Sequence, residues 1–460
     1  MDRRSLPISP SQGLRSAFHG SAMRSDSQPN PDRSPAPDNG PGAEKRAQRR
    51  WQRLLHLLPG LAQQLTPPTF DACCRILHGG PHPVLAPICS RLGHSPVRHR
   101  EMARQLAASM MDAREHREHV VTIQKSAAEP WVTQAAKTFD LPLVRWDASQ
   151  LASPEQLGSL PPNIAFHKIA QHRDEWIIAV ADRVDVLHLR RGGKIEQAVL
   201  RRLEVDPFGV RVGMDDPKAA ERVLEAGALG RFLPRTSSTA SDEPLPRREP
   251  SSPTVSPMPS VLEQDEWLVH CTRRCDGPWP GQSWPQYYDE MLLGSDEAAS
   301  RESLDSLRRI VRMRRLIAGA TTSKSEHRVV CLSAVPLPEL LRRRTFRSHV
   351  SRWDYEPFGI AIRRSAATAM GVRPVVYGPA AVRDGLPAEE RYRYQAEGRD
   401  QGWTAENEWR SLGDVDLDSL DANDVCVFVP DQADAQVIAE VNHRGWRVCQ
   451  VEPLLQPSAQ

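Results

Sequence analysis

Residues Trp51, Leu54, Leu55 and Leu58 recur at i, i+3, i+4 and i+7, a spacing that gathers one apolar stripe along a helix. Beyond it the apolar period shortens. Runs dense in β-branched and aliphatic residues, ACCRILH (72–78), HVVTIQ (119–124), LPLVRW (141–146), VDVLHL (184–189) and GVRVGM (209–214), predict strands. Helix-period segments separate most of them: REMARQLAASMMDA (100–113), PWVTQAAKTF (130–139) and KIEQAVLRRLE (194–204). Strands alternating with helices of this length predict a parallel sheet covered on both faces, a Rossmann-like α/β domain.

The pattern is less regular from about residue 261. Helix-period segments occupy 301–317 and 432–443, while VVCLSAV, GIAIR, PVVYG and VCVFV predict buried strands. This mixture reads as a separate α+β domain. Two segments break the pattern altogether: residues 1–45, and the Ser/Pro-rich stretch 234–260. Neither carries enough apolar residues to bury a core, so both are expected to be disordered. The expected organisation is a tail (1–45), a Rossmann-like nucleotide-binding domain (46–233), a linker (234–260) and an α+β effector domain (261–455).

Composition narrows the function classes. With 60 Lys+Arg against 58 Asp+Glu, net charge offers no argument for nucleic acid as a partner. No apolar run approaches the ~20 residues that span a bilayer. The eight cysteines are scattered, with Cys73 and Cys74 adjacent, which suits a reduced, cytoplasmic protein better than a disulfide framework. Histidines and cysteines between 73 and 99 lack the paired spacing of a zinc site, so no metal is expected.

Two glycine pairs carry the candidate chemistry of the first half. LHGGPHPVLAP places Gly79 and Gly80 after a predicted strand, and LRRGGKIEQAV places Gly192 and Gly193 before a predicted helix, with Glu196 in its first turn. Glycine lets backbone approach a ligand closely, and free amides at a helix start favour anions. This succession of Gly-rich turns resembles SLOG domains, the nucleotide-sensing relatives of lysine-decarboxylase-like and DNA-processing Rossmann proteins. The resemblance implies that Gly79, Gly80, Gly192, Gly193 and Glu196 hold a nucleotide-like ligand. Related phosphoribohydrolases carry PGGxGTxxE, whereas RRGGKIE here is shorter, which favours binding without hydrolysis.

In the second half, WLVHCTR predicts a strand with His270 and Thr272 on one face and Val269 and Cys271 on the other. VVCLSAVP ends a strand at Ser333, and QGWTAENEWR gathers Trp403, Glu406, Glu408 and Arg410. This order resembles ADP-ribosyltransferase-fold domains. The resemblance implies His270 as a ribose contact for NAD, Ser333 on the central strand, Glu408 as the catalytic carboxylate with Glu406 as its substitute, and Trp403 and Arg410 as cofactor contacts. One carboxylate placed against a developing oxocarbenium ion is sound chemistry for cleaving nicotinamide from ribose. The EWR element also resembles bacterial domains associated with abortive infection, which implies phage defence. The expected whole is a nucleotide-ligand sensor joined to an NAD-using effector. Its alternative is a noncatalytic protein that binds a nucleotide and a protein partner.

Overall fold

The computed structural model describes residues 41–63, 65–68, 70–71, 74, 82–146, 172–233, 256–257, 266–319, 327–348, 352–397 and 403–451. Residues 1–40 and most of 234–260, where a disordered tail and linker were expected, lie outside the described residues. The expected tail does not extend to residue 45, because helix α1 (Pro41–Leu57) already begins at Pro41.

The first half builds a six-stranded parallel sheet from β1 (Val84–Cys89), β2 (His119–Ile123), β3 (Leu143–Trp146), β4 (Arg183–His188), β5 (Val210–Gly213) and β6 (Leu229–Arg231). Its order is β3-β2-β1-β4-β5-β6, the doubly wound arrangement in which the winding reverses between β1 and β4. Helices α2 (Pro96–Glu115) and α3 (Glu129–Thr138) cover one face, where Met102, Leu106 and Val132 meet Leu85, Val120 and Leu187. The other face lies under α1, α4 (Arg173–Val180), α5 (Lys194–Leu203) and α6 (Pro217–Glu225). There Leu54, Ile178, Val199 and Val223 pack on Val84, Val184 and Val210. Burial on both faces explains why all six residues of β1 are apolar or small rather than alternating.

The expected first strand is corrected. ACCRILH is helical at Cys74, and its remaining residues lie outside the described set. The strand is VLAPIC, whose Pro87 has no N–H for the ladder. Pairing with β2 runs only from Val84 to Leu85, while pairing with β4 continues to Cys89. A cavity of about 10 Å³, lined by Pro87, Thr122, Ser126, Asp174 and Ile195, fills the resulting gap.

The second half forms an eight-stranded mixed sheet. Its named strands are β7 (Trp267–Cys271), β8 (Val329–Ser333), β9 (Gly359–Arg363), β10 (Arg373–Pro374), β11 (Glu408–Leu412), β12 (Val425–Val429) and β13 (Arg447–Gln450). They run in the order β10-β11-β8-β7-β9-β12-β13, with Ser256–Pro257 beyond β13. Pairings are antiparallel from β10 to β12 and parallel thereafter. Helices α8 (Ser303–Met313) and α10 (Gln432–Ala439) cover the face carrying Leu268, Leu332, Ile360 and Val427. The short α9 (Leu337–Arg342) covers Trp267, Val269, Ala361 and Phe428 on the other.

One helix crosses between the halves. α7 (Trp284–Leu293) follows β7 in the chain, yet Tyr287, Met291 and Leu292 pack in the same core as Met102, Leu106 and Trp131. Asp289 accepts hydrogen bonds from Gln134 (2.9 Å) and Thr138 (2.7 Å), and Arg100 donates to the Met291 carbonyl. The second half of the chain is therefore docked on the first through this helix.

Candidate functional site

The carboxyl ends of β1 and β4 are neighbours at the point where the winding reverses, the place where open α/β sheets bind ligands. The loop after β1, residues 90–95, turns at Gly93 (φ +73°), a left-handed conformation that glycine adopts without strain, and ends at Ser95, whose side chain caps α2. The loop after β4, residues 189–193, turns into α5. The two are stitched together: the Arg190 amide donates to Ser90 Oγ (3.1 Å), and the Ser90 amide to the His188 carbonyl (2.9 Å). A Cβ on Gly193 would lie 2.9 Å from the Arg190 carbonyl, so this turn tolerates no larger residue without moving.

Side chains around these loops are strongly basic. Arg91, Arg190, Arg191, Lys194 and, on the first turn of α2, Arg98 are exposed. None of them forms an ion pair with a described residue. Next to them a cavity of about 190 Å³ is lined by Arg98, Glu101, His188, Leu189, Asp215 and Asp216. Burial, with the nearby Arg98, holds the His188 imidazole below its usual pKa. The wall thus combines a cation, carboxylates and a largely neutral imidazole, a set that hydrogen-bonds hydroxyl or amino groups.

Gly79 and Gly80 lie outside the described residues. Gly192 and Gly193 do sit at the strand-to-helix junction, but Glu196 does not face solvent. Its side chain is 0% exposed, and Oε2 accepts the Gly192 amide at 2.6 Å and Arg222 at 3.3 Å. Glu196 therefore holds the glycine turn in shape from behind, a correction to its expected role as a ligand contact.

The second candidate constellation does not assemble. Ser333 pairs directly with Glu408 and with Val269, and directly paired residues share a face of the sheet. His270 follows Val269, so it points to the opposite face, where its partner Ile360 belongs to the α8 and α10 core. Its Nδ1–H donates to the Cys331 carbonyl (2.9 Å), and burial lowers its pKa. The three expected catalytic residues do not share a cleft.

Their partners explain them as structure. Ser333 Oγ donates to the Glu406 carbonyl (2.6 Å) and accepts the Val335 amide (3.1 Å). Arg410, 2% exposed, grips both Glu408 oxygens at 3.0 Å. It also donates to the carbonyls of Tyr392 (3.1 Å) and Tyr394 (3.0 Å) and to Gln395 (2.8 Å). A guanidinium has five N–H donors, and these five bonds leave none for a cofactor, contrary to expectation. Trp403 begins a short 3-10 helix, Trp403–Glu406. Burial, with Glu408 nearby, pushes the Glu406 carboxyl up, while Tyr355 hydrogen-bonds to it. The Pro/Gly loop after β7 is pinned: Arg301, 0% exposed in its side chain, binds the Gly277 carbonyl (2.8 Å) and Glu290 (2.7 Å).

Sequence reasoning missed the loop SRLGHS because β1 was placed one segment too early. Its signal was present: a single glycine two residues before Ser-Pro, an N-cap with proline at the first helical position. Among the described residues no His, Cys, Asp and Glu group could hold a metal, and no helix is long and apolar enough to cross a membrane. Comparison with protein-family models, curated proteins and solved structures finds no match.

Proposed function

We propose that the parallel-sheet half binds a phosphate-bearing, nucleotide-like small molecule across the carboxyl ends of β1 and β4, and does so without chemistry. The observation that carries this reading is the pair of stitched loops, 90–95 and 189–193, with Arg91, Arg98, Arg190, Arg191 and Lys194 exposed around them and in no ion pair among the described residues. Clustered like charges repel one another, and an anion bound among them relieves that repulsion. Binding without catalysis is supported by Glu196, the one acidic residue of the glycine turn, being buried behind the loop.

Calorimetry with ADP as probe tests the reading. Wild-type protein is expected to bind, more weakly as salt rises. The double substitution Arg190→Glu/Lys194→Glu is expected to weaken binding by at least about tenfold, since each lost charge-assisted contact is worth roughly 1.5 kcal/mol or more. Equal affinity in a variant with an unchanged circular dichroism spectrum would remove these loops from the site.

A second reading, consumption of NAD by the mixed-sheet half, is favoured by the placement of Glu406, a partly buried carboxyl that Tyr355 hydrogen-bonds and that burial and Glu408 push towards its protonated form. That role would fall to Glu406 rather than to Glu408, which Arg410 occupies. Loss of NAD in the presence of wild-type protein, abolished by Glu406→Gln, would favour it over the noncatalytic reading.

A further inference from the structure

The loop after β1 is held from below by a residue that also touches the other half of the chain. His99 lies on α2 with its ring buried against Trp131, centroids 5.4 Å apart. Its Nε2 lies 3.0 Å from the Gly93 carbonyl, and its Nδ1 lies 2.7 Å from the Tyr287 hydroxyl. A carbonyl only accepts, so Nε2 carries the proton. A neutral ring then leaves Nδ1 as an acceptor, and the Tyr287 O–H must donate to it. Burial favours that neutral ring.

Tyr287 is itself immobilised. The Arg301 guanidinium lies 4.7 Å from its ring centroid, and Trp131 and Trp284 lie 5.9 and 5.7 Å away. Arg301 also binds Glu290 on the same helix, and Asp289 is tied to α3. A directed chain of two hydrogen bonds therefore runs from α7, through one imidazole, to the carbonyl of the residue at which the anion loop turns.

We propose that Tyr287, acting through His99, is a positioning residue for the loop 90–95, so that packing of α7 sets the affinity of the ligand site. This rests on the anion-site reading given above. Without the tyrosine proton, His99 loses what fixes its tautomer and ring angle, and Gly93 loses a well-aimed donor.

The test is a double-mutant cycle of Tyr287→Phe and His99→Gln in the full chain, read by amide hydrogen exchange and by calorimetry with ADP. Tyr287→Phe keeps the ring, and the glutamine amide can still donate to the Gly93 carbonyl. Tyr287→Phe is expected to speed exchange about fivefold, the worth of roughly one hydrogen bond, at the Ser90, His99 and Arg190 amides, which are hydrogen-bonded to or through the loop, and to weaken ADP binding by a similar factor. In the His99→Gln background the tyrosine change should add little, because its route to the loop is gone. Loop exchange that is unchanged in Tyr287→Phe, or effects that simply add in the double variant, would overturn the relay. If wild-type protein fails to bind ADP, the ligand reading falls by itself, and the exchange data still decide whether Tyr287 positions the loop.

Discussion

His270 illustrates how one register decides the meaning of a residue. Between β7 and β8 the ladder consists of the single pair Ser333 and Val269, and the imidazole satisfies the Cys331 carbonyl beside it. Because its folded pKa is depressed, the unfolded chain takes up a proton near pH 6.5 before the folded one does. The ring thus contributes stability that is present above pH 6.5 and lost as pH falls towards the folded pKa. Raised carboxyl pKa values, as at Glu118 and Glu406, act with the opposite sign, so the comparison must be between variants. His270→Asn, which keeps a donor near Nδ1, is expected to reduce the loss of stability between pH 7.5 and 5.5, by at most about 1.4 kcal/mol. Urea midpoints at the two pH values measure it, and an unchanged difference would show that the ring does not titrate with unfolding. The alternation that placed His270 and Val269 on opposite faces was readable in WLVHC. Which of those faces Ser333 and Glu408 share was not, because pairing partners lie 60 or more residues away and nothing local records them.

At the scale of elements, the α/β pattern was legible wherever strands are continuous β-branched runs, as in HVVTI and RVDVLH, and helices keep a 3.6 period, as in α2 and α5. It failed at β1, where Pro83 and Pro87 break the β-branched pattern and the expected strand was ACCRILH instead, and tertiary burial on both sides overrode that local signal. Also invisible was the buried side chain of Arg202, which on sequence alone is one more cation on a helix. It donates to the carbonyls of Ile178 (2.6 Å), Ala181 (2.9 Å), Asp182 (3.0 Å) and Phe208 (3.2 Å). One guanidinium thus closes the end of α4 and the entry to β4 against α5. Arg202→Leu leaves those four acceptors without their donor, and an expected loss of about 3 kcal/mol or more follows from the desolvated carbonyls alone. A chemical-denaturation midpoint within about 1 kcal/mol of wild type would show that water replaces the side chain.

At the scale of the whole molecule, α7 makes the two sheets depend on each other. Met291 is fully buried among residues of the parallel-sheet half, with Arg100 donating to its carbonyl. Met291→Ala should cost about 2–5 kcal/mol, concentrated at this seam. Calorimetry is expected to turn one cooperative transition into two, since each sheet has its own core and only the coupling is weakened. A single transition shifted to lower temperature would mean that the halves unfold together for another reason. The same seam bears on how the protein comes into being. During synthesis the outer surfaces of α2 and α3 emerge well over a hundred residues before α7, and at about 5–20 residues per second that interval lasts roughly seven to thirty seconds. For that time Trp131 lacks the cover of Tyr287 and Tyr288, so a nascent chain halted before Trp284 presents a sticky aromatic face that the finished protein hides.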